Sequence, residues 1–531
     1  MNTECRYINY EQTALFSSLV LDYLRQHPTV APFFKHAPTL DGMESAMQAR
    51  KQFSTNREAI QSVFENAYGQ KASSAQQHNI ALLGSDNTFT VCTAHQPNIF
   101  TGYLYFLYKT AHTIALCRSL KQAFPSSDFV PVFYIGSEDN DLDELSVFQL
   151  NGKQFRWETE QTGAVGRMQC DQHIQQLIDT IGKELAHFTH AQSLLDLLKK
   201  AYAKGNTMAD AIFILLNELF GQEGLLVLQP DNPALKQSFV KIMHDDLLNA
   251  TAETVVNKSI DALSQSYKVQ VNPRPVNLFY LRDGIRNRID KRGDQFSVDG
   301  TLIRFNQNEI VQELKEHPDR FSPNVILRGL YQETILPNIA FIGGGSEIAY
   351  WLELKSLFEH YGVPYPVLVL RNSFMVVDKH QWNKLNELHL SEADLFKEET
   401  ALANEMIQRW SDREINLEAE TKNSRALFDQ LKNRAGSIDK SLTQHVHALE
   451  VFHLKKLESL EKKMLKAERK KQSTQLQRIW KLKSELFPNG SLQERKLNFM
   501  PYYAQHGPSF IQSILGHSLS LEQEFGILII E

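Results

Sequence analysis

Five short apolar segments, each followed by a stretch with helical spacing, constrain the fold of this chain most strongly. They read FTVCTA (89–94), VPVFYIG (130–136), GLLVLQ (224–229), NIAFIGG (338–344) and PVLVL (366–370). Continuous apolar runs of this length are typical of strands that are buried on both faces. Their alternation with amphipathic helices predicts an α/β fold, in which helices cover both faces of a parallel sheet.

Two intervals between these segments are longer than a connecting helix requires. Residues 237–330 form a polar stretch between the fourth strand candidate and the third, and residues 151–206 lie between the second and the third. Structureless loops of such length are rare in compact domains. We therefore expect inserted connecting subdomains near 151–206 and 237–330, within a core that spans residues 1–389.

Strand signals stop near residue 390, and helix formers dominate from there to about residue 485. Apolar side chains recur with three- and four-residue spacing at Leu442, Val446, Leu449, Leu457, Leu460, Met464 and Ala467. This spacing predicts a long α-helical coiled-coil domain over 390–485. The C-terminal segment, 486–531, ends in the apolar stretch FGILIIE, which we expect to return to the core as a strand.

The second half of this helical region, residues 453–483, is strongly basic. A basic helix could bind nucleic acid or an acidic surface. However, the flanking positions of coiled coils are routinely Lys and Glu, and aromatic residues for base stacking are nearly absent. Because the whole chain carries a net charge of −6, we expect no nucleic-acid partner and favour a dimer seam or the wall of an anionic ligand site.

The cysteines and the N-terminus indicate a cytoplasmic protein. The four cysteines, Cys5, Cys92, Cys117 and Cys170, are scattered without CxxC spacing, which argues against a zinc site or a disulfide framework. The N-terminus has no basic region followed by an apolar core, and no run of about 18 apolar residues occurs anywhere. We expect neither export nor a membrane partner, and no bound structural metal.

A glycine-rich loop follows the fourth strand candidate. Three consecutive glycines permit backbone angles closed to other residues, and the serine after them can cap a helix that begins near Glu347. Helix N-termini of this kind bind phosphates or carboxylates through unpaired N–H groups, although the glycines could serve only a tight turn. The candidate nucleotide- or anion-binding residues here are Gly343, Gly344, Gly345, Ser346 and Glu347, with Arg371 after the next strand.

A second loop, Thr93-Ala94-His95-Gln96-Pro97-Asn98, follows the first strand candidate, where open parallel sheets place ligands. Nucleotidylyltransferases and class I synthetases have an HxGH motif at this position, but Pro97 and Asn98 here replace its glycine and second histidine. His95 and Gln96 are candidate catalytic residues, and Thr93 is a candidate nucleotide ligand. The alternative is that they only satisfy backbone groups in a turn.

The third loop, after the second strand candidate, is acidic. Glu138, Asp139 and Asp141 are followed there by Asp143 and Glu144. Clustered carboxylates repel one another, which raises pKa values unless a cation or an amine compensates. Glu138, Asp139 and Asp141 are therefore candidate catalytic residues that could bind an ammonium group, hold Mg²⁺ or deprotonate an attacking amine. The alternative is an acidic first turn that complements a helix dipole.

A fourth cluster, VNPRPVNLFYLRDGIRNRI (271–289), is rich in arginine. Guanidinium groups match the geometry of carboxylates and phosphates. We select Arg274, Asn277 and Tyr280 as candidate substrate-binding residues. The same alternation also fits an ordinary strand with surface arginines.

Several of these segments together resemble the BshC family, which is assigned as the cysteine ligase of bacillithiol biosynthesis. The resemblance lies in FSPNVILRGLYQETILPN, GGGSEIAYWLELK, GVPYPVLVLRNS, TAHQPNIFTGYLYFLYK and PVFYIGSEDNDLDEL, and it recurs to the end of the chain. It implies a Rossmann-like core, a coiled coil that promotes homodimerisation, and L-cysteine and glucosaminyl malate as substrates. The implied reaction forms an amide on the malyl carboxylate, as the last step of bacillithiol biosynthesis. His95 and Asn140 depart from common family forms.

Joining a carboxylate to an amine in water is uphill, so the acid must first be activated. We expect ATP or another nucleotide to be used, with Mg²⁺ as a further candidate cofactor. A GxxxxGK[ST] motif is missing from the sequence, which disfavours a P-loop route. Two alternatives stay open, namely a nucleotidylyltransferase-like enzyme acting on another small metabolite, and a non-enzymatic coiled-coil scaffold with a nucleotide-binding core.

Overall fold

A computed structural model describes residues 2–411 and 416–531. Its strands are β1 (Thr3–Asn9), β2 (Thr88–His95), β3 (Asp128–Ile135), β4 (Val147–Leu150), β5 (Lys153–Arg156), β6 (Leu226–Leu228), β7 (Leu278–Arg282), β8 (Ile285–Arg292), β9 (Gln295–Val298), β10 (Arg304–Asn306), β11 (Phe321–Pro323), β12 (Asn338–Gly343), β13 (Val367–Leu370), β14 (Ser373–Asp378) and β15 (Glu524–Ile530). The described chain forms two compact units.

The first unit is built on a five-stranded sheet with the order β13-β12-β2-β3-β6, in which all neighbouring strands are parallel. Its five strands are the five apolar segments of the sequence, so the predicted parallel core is confirmed. From the central strand β2 the chain continues to β3 on one side, and it later places β12 on the other side. Such a reversal opens a crevice at the carboxyl ends of the strands.

Helices cover this sheet and the connections around it. Those of seven or more residues in the first unit are Ser18–Leu24, Leu40–Lys51, Arg57–Tyr68, Ser74–Leu82, Tyr105–Ala123, Gln172–Leu185, Ala191–Ala201, Met208–Phe220, Val240–Asn249, Thr251–Leu263, Gln307–Glu316, Val325–Ile335, Gly345–Tyr361, Met500–His506 and Pro508–His517. None of the described helices combines the length and the apolar character needed to cross a membrane.

Both long intervals contain folded structure. Residues 151–206 hold β5 and two helices, and residues 237–330 hold an antiparallel sheet with the order β10-β9-β8-β7-β11. Both intervals lie within the first compact unit, which comprises the N-terminal residues up to Glu11, Leu15–Val376 and Ser491–Glu531. The insertions therefore pack as part of the core unit.

The C-terminal strand β15 differs from its prediction. It lies in the first unit, but it pairs antiparallel with β1, from Thr3 opposite Ile530 to Asn9 opposite Glu524, in a separate sheet β1-β15-β14. The seven-residue pairing with β1 satisfies backbone groups that an edge position on the parallel sheet would leave unpaired on one side. The C-terminal segment therefore lies in the first unit, but the prediction that its strand joins the core parallel sheet is wrong.

A buried ion pair connects the helix Leu40–Lys51 to the helix Val325–Ile335. Arg50 Nη2 lies 3.1 Å from Glu333 Oε2, and both side chains are almost completely buried. Arg50 also donates to the carbonyls of Glu333, Asn338 and Pro364, while Glu333 Oε1 accepts from Gln332 and Asn338. Burial lowers the pKa of Arg50 to about 10. Each charge is thus fully partnered in a dry environment.

A buried carboxyl group predicts a pH dependence of stability. Asp246 accepts hydrogen bonds from the backbone and side-chain nitrogens of Asn277, at 2.6 and 3.0 Å, and burial raises its pKa to about 7. A folded-state pKa above the unfolded one means that the folded chain holds a proton that the unfolded chain has released. The stability that the folded chain gains from this bound proton is fully present below about pH 4, and it is lost as the pH rises through 7.

Urea unfolding at pH 5 and pH 8 measures this loss. Between these two values, the unfolding free energy of the unmodified chain should fall by more than that of Asp246→Asn, because the variant cannot titrate at this position. Equal changes in the two proteins would show that Asp246 is not the responsible group.

The second unit comprises Gln12–Ala14 and Val377–Gly490. Its helices are Lys379–Glu387, Glu399–Trp410, Glu418–Gly436, Ser441–Lys471 and Ser473–Leu486. The two longest form an antiparallel hairpin, in which Lys432 pairs with Glu450 at 2.6 Å and Ser424 Oγ lies 3.2 Å from His453 Nε2. Large apolar side chains remain exposed on the hairpin at Leu427, Leu431, Ile438, Leu442, Leu449, Val451, Phe452 and Leu460. The predicted 390–485 domain also includes residues 412–415, which lie outside the described residues.

Candidate functional site

A pocket of about 560 Å³ opens at the carboxyl ends of β2, β3 and β12. The sequence-predicted residues that line it are His95, Gln96, Glu138, Asp139, Gly344, Gly345, Ser346, Glu347 and Arg371. The parallel sheet thus brings the three candidate loops together at one rim, as expected for open α/β sheets. Six predicted residues lie outside the pocket lining: Thr93, Asp141, Gly343, Arg274, Asn277 and Tyr280.

His95 ends β2 beside the ring of Tyr105, with 3.4 Å between His95 Nε2 and the Tyr105 hydroxyl. Burial lowers the pKa of His95 well below its usual range, and the positive charges of Lys109 and Arg371 lower it further. His95 is therefore a neutral imidazole that can donate or accept a hydrogen bond. Thr93 is turned into the sheet, where its hydroxyl donates to the carbonyl of Ile342 at 2.8 Å. That bond removes it from the nucleotide-binding candidates.

The loop after β3 is fixed by hydrogen bonds to its own backbone and to the first insertion. Gln96 Nε2 donates to Asp139 Oδ2 at 2.9 Å, and the other Asp139 oxygen accepts from the backbone of Asp141. Asp141 caps the short helix Leu142–Leu145 and lies outside the pocket lining, so the structure gives it the helix-start role that the sequence left as an alternative. Val165 and Gly166 donate to the carbonyls of Asp139 and Ser137. The loop is thereby held against the insertion.

Glu138 has a buried cation as its partner. Lys236, whose side chain is 1% exposed, forms an ion pair with Glu138 Oε1, and Ser322 Oγ donates to Glu138 Oε2 at 3.0 Å. Lys236 also donates to the carbonyl of Phe321 at 2.9 Å. Both carboxylate oxygens of Glu138 are therefore occupied. Lys236 is 98 positions away in the chain, and local sequence patterns contain no signal for this pairing.

The glycine loop starts its helix earlier than predicted. The helix Gly345–Tyr361 is capped at Gly344, and Glu347 Oε2 reaches back to accept from the Gly344 N–H at 2.8 Å. The prediction that Ser346 caps this helix is therefore wrong, because the side chain of Glu347 takes that role and leaves Ser346 exposed in the first turn. Gly343 ends β12, where a Cβ atom would lie 2.9 Å from both Glu347 Cβ and Phe341. Gly343 thus permits close packing and does not line the pocket.

Lys109, which contacts two pocket-lining residues, and Arg371, which lines the pocket itself, are both paired with carboxylates. Lys109 donates to Glu347 Oε2 at 2.8 Å and to the Ala94 carbonyl at 2.6 Å. Arg371 forms a two-pronged pair with Glu494, at 2.7 and 3.0 Å, and its guanidinium lies 5.1 Å from the centre of the Tyr105 ring. Their positive charges are therefore largely neutralised by the protein itself.

Two other guanidinium groups, those of Arg286 and Arg328, also line the pocket. Within the described residues, no carboxylate oxygen lies within 4.0 Å of Arg286 or Arg328. The buried Arg286 donates to Asn140 Oδ1, to Ser322 Oγ and to a backbone carbonyl, at 3.0, 3.1 and 3.4 Å. The partly buried Arg328 donates to the Tyr350 hydroxyl at 2.9 Å and lies 5.6 Å from the centre of the Tyr134 ring. The pocket therefore has positive charge available for an anion.

The three predicted substrate-binding residues support the second insertion instead. Asn277 is fully buried, bonded to Asp246, and its side-chain oxygen accepts from the backbone of Arg274. The Tyr280 hydroxyl donates to Glu313 Oε1 at 2.5 Å. Tyr280 lies on β7, whereas Arg274 and Asn277 precede that strand. It is Arg286, on the neighbouring strand β8, that lines the pocket. The arginine-rich segment therefore reaches the pocket through Arg286, whereas the three residues selected from it do not line the pocket.

Further lining residues were not selected from the sequence: Tyr103, Tyr105, Tyr134, Ser137, Glu144, Arg286, Arg328, Tyr350 and Arg495. Arg328 lies on the helix Val325–Ile335, which begins at the Asn324 cap within the motif FSPNVILRGL. Asparagine is a common helix cap and could have indicated this helix start, but only the tertiary contacts show that the Arg328 guanidinium has no carboxylate beside it. In the described part of the chain, no group of three or more His, Cys, Asp or Glu side chains could hold a metal ion.

Comparisons with known proteins agree over the whole length. Residues 1–372 match a family model described as "Bacillithiol biosynthesis BshC, N-terminal Rossmann-like domain", and residues 374–530 match "Bacillithiol biosynthesis BshC, C-terminal coiled-coil domain". A protein of Flavobacterium johnsoniae named "Putative cysteine ligase BshC" is 40% identical, with 100% of both chains covered. Proteins with the same name from Christiangramia forsetii and Chlorobaculum tepidum are 38% and 30% identical, and cover 99% and 83% of this chain and 99% and 82% of their own.

Proposed function

The chain belongs to the BshC family of bacillithiol biosynthesis, and on that premise we propose that it is a ligase that joins L-cysteine to glucosaminyl malate through an amide bond. This is the last step of bacillithiol formation. The observation that carries the proposal is the pocket itself, where guanidinium groups without carboxylate partners and an acidic loop line one cavity. Such a cavity suits a substrate pair that carries both carboxylates and amines.

The guanidinium groups of Arg286 and Arg328 are the proposed binding site for the malyl group. A charge removed from water is costly unless a counter-charge meets it. The malyl group has two carboxylates, and guanidinium groups bind carboxylates in a planar geometry. A dianionic substrate would therefore supply the negative charge that the protein does not place beside these two residues.

This binding mode favours one direction of ligation. A carboxylate held by guanidinium groups is stabilised as an anion and is a poor acyl donor. We therefore propose that the cysteine carboxyl group is activated and that the amino group of glucosaminyl malate attacks it. This replaces the direction that the family resemblance implied, in which the malyl carboxylate is activated and the cysteine amine attacks it.

The glycine loop and His95 are the proposed site for the activating nucleotide. A nucleoside triphosphate supplies the group that turns the cysteine carboxylate into an acyl donor. The N–H groups of the first turn of the helix Gly345–Tyr361 can bind phosphate oxygens. A Cβ atom at Gly344 would lie 3.6 Å from Arg371 Nε, so an anion beside this glycine would also meet that guanidinium. Neutral His95 can donate one hydrogen bond to the same anion.

Nucleotide use is tested by following isotope exchange in ATP and by identifying the products. With L-cysteine, the purified protein should move ¹⁸O between bridging and non-bridging positions of ATP, and adding glucosaminyl malate should yield bacillithiol. Release of AMP would indicate an adenylate, and release of ADP would indicate an acyl phosphate. Isotope exchange that requires glucosaminyl malate but not cysteine would instead indicate that the malyl carboxylate is the activated group. If no amide product forms under any of these conditions, the ligase proposal is wrong.

We also propose that the exposed apolar side chains of the hairpin form a homodimer seam. Leu449 and Phe452 are 47% and 62% exposed and lie three positions apart on one long helix. A second copy of this hairpin would offer a matching apolar surface, since homodimer interfaces are self-complementary. The basic side chains around it then become the solvated flanks of the seam.

Replacing Leu449 and Phe452 together by Glu should give a monomer. Light scattering after size exclusion should report twice the 60.9 kDa chain mass for the unmodified protein and a single mass for the variant. Leu302→Glu is the matched control, because Leu302 is 97% exposed but lies outside the hairpin. A double variant that keeps the mass of the unmodified dimer would contradict this seam.

A further inference from the structure

One carboxylate of the acidic loop remains available to a ligand. Glu144, on the short helix Leu142–Leu145, lines the same pocket as His95 and Glu138. In the described part of the chain, no hydrogen-bond donor or cation is within bonding distance of its carboxylate. Glu138 is occupied by Lys236 and Ser322, and Asp139 is occupied by Gln96 and a backbone amide.

The surroundings of Glu144 suit proton transfer. Burial raises the pKa of Glu144 above its usual range, and the charges of Asp141 and Asp139 raise it further. The phenols of Tyr103 and Tyr105 line the same pocket, and both have pKa values raised first by burial and additionally by the charge of Glu144. Glu144 is solvent-exposed where it lines the pocket, and the nearby carboxylates and tyrosine rings make its carboxylate hold a proton more readily than it would in water.

A second, independent feature of the same pocket indicates a ligand with N–H groups. The Ser137 hydroxyl is buried, with 3% of the residue exposed, and has no hydrogen-bond partner among the described residues. Buried hydroxyl groups are normally satisfied, so an unpaired one in a pocket wall indicates a partner that arrives with the ligand. An ammonium group has three donors to offer to acceptors such as these.

We propose that Glu144 is the base that removes a proton from the ammonium group of glucosaminyl malate, while the Ser137 oxygen accepts a hydrogen bond from a remaining N–H. The inference rests on the proposed ligase function. One N–H bond breaks, its electron pair stays on nitrogen, and the proton forms an O–H bond with Glu144. The free amine then attacks the activated cysteine carbonyl carbon and forms the N–C bond. The activating group leaves with the electron pair of its own bond, and the second proton that the nitrogen must lose passes to water.

The pH dependence of kcat/KM separates a base from a structural residue. Glu144→Gln should lower kcat/KM at pH 7 by about 10²-fold. Its remaining rate should rise about tenfold per pH unit until the amine loses its proton in solution, because only the free amine can then react. The unmodified enzyme should be nearly independent of pH over the same range. Glu144→Asp, which keeps the carboxylate, should recover part of the rate and the flat profile.

Asp143→Asn is the matched control. Asp143 lies next to Glu144 in the same short helix, but its side chain is 94% exposed and pairs with Arg156 away from the pocket lining. The Asp143→Asn variant should retain the kcat/KM and the pH dependence of the unmodified enzyme. A loss in Glu144→Gln that is equal at every pH, or no loss at all, overturns the assignment of Glu144 as the base.

A binding measurement distinguishes failure of this inference from failure of the ligase proposal. Calorimetry should show that the unmodified protein binds glucosaminyl malate more tightly than its N-acetyl analogue, and that Glu144→Gln loses this preference. If no amide forms but the preference for the free amine is present, the ligase proposal fails and Glu144 is still shown to bind an ammonium group. If the amide forms and the preference is missing, the ligase proposal holds and the role proposed for Glu144 is wrong.

Discussion

Arg328→Met is expected to lower kcat/KM for glucosaminyl malate by about 10²–10³-fold, because removing one partner of a charge pair in a binding site costs about 2–5 kcal/mol. The loss should appear as a higher KM for glucosaminyl malate, whereas the KM for L-cysteine should change little. Steady-state kinetics with each substrate varied in turn measures both values. Arg288→Met is the activity control, since Arg288 is exposed on the strand that carries Arg286.

The free energy of unfolding of Arg328→Met provides a second test of its role in binding. Arg328 has no carboxylate partner, so its replacement should change the free energy of unfolding by less than about 1 kcal/mol. Arg50→Met makes the same substitution at a buried arginine that pairs with Glu333, and it should be strongly destabilising. If Arg328→Met destabilises the fold as much as Arg50→Met does, Arg328 is structural and the malyl site lies elsewhere.

Glu333→Ala is expected to destabilise the first unit by about 3–5 kcal/mol, because it leaves the Arg50 guanidinium buried without its counter-charge. Arg50 would retain its three carbonyl acceptors, while the side-chain amides of Gln332 and Asn338 would lose their acceptor. Urea unfolding followed by circular dichroism measures the change.

Glu359→Ala is the control for this loss. Glu359 is 52% exposed and lies 3.4 Å from Lys355, one helical turn away. Exposed pairs of this kind contribute about 0–1 kcal/mol. Similar losses in the two variants would mean that the Arg50–Glu333 pair stabilises the fold no more than a surface contact does.

The parallel core could be predicted because its strands are buried on both faces and so appear as uninterrupted apolar runs. β2 illustrates this, since seven of its eight residues are buried. The convergence of the loops around His95, Glu138 and Gly344 followed from the general geometry of open parallel sheets. These features depend on local composition and on a rule of chain topology, and both are visible in a single sequence.

The roles of individual side chains could not be predicted in the same way. Tyr280 and Arg286 lie on adjacent antiparallel strands, and the sequence does not state which face of that sheet meets the pocket. Ser346 and Glu347 are both capable of capping the helix after the glycines, and the longer side chain reaches the Gly344 amide. The occupation of Glu138 depends on Lys236 in another part of the chain. Such choices follow from tertiary contacts.

The pairing of β1 with β15, and of Arg371 with Glu494, has a consequence for biosynthesis on the ribosome. β1 finds its hydrogen-bonding neighbour only when β15, which is made more than 500 residues later, has left the exit tunnel. Arg371 likewise gains its counter-ion from a segment made more than 100 residues later. A chain that lacks β15 and Glu494 therefore has an open strand edge and an Arg371 without its counter-ion, and such a strand edge is prone to pair with other chains.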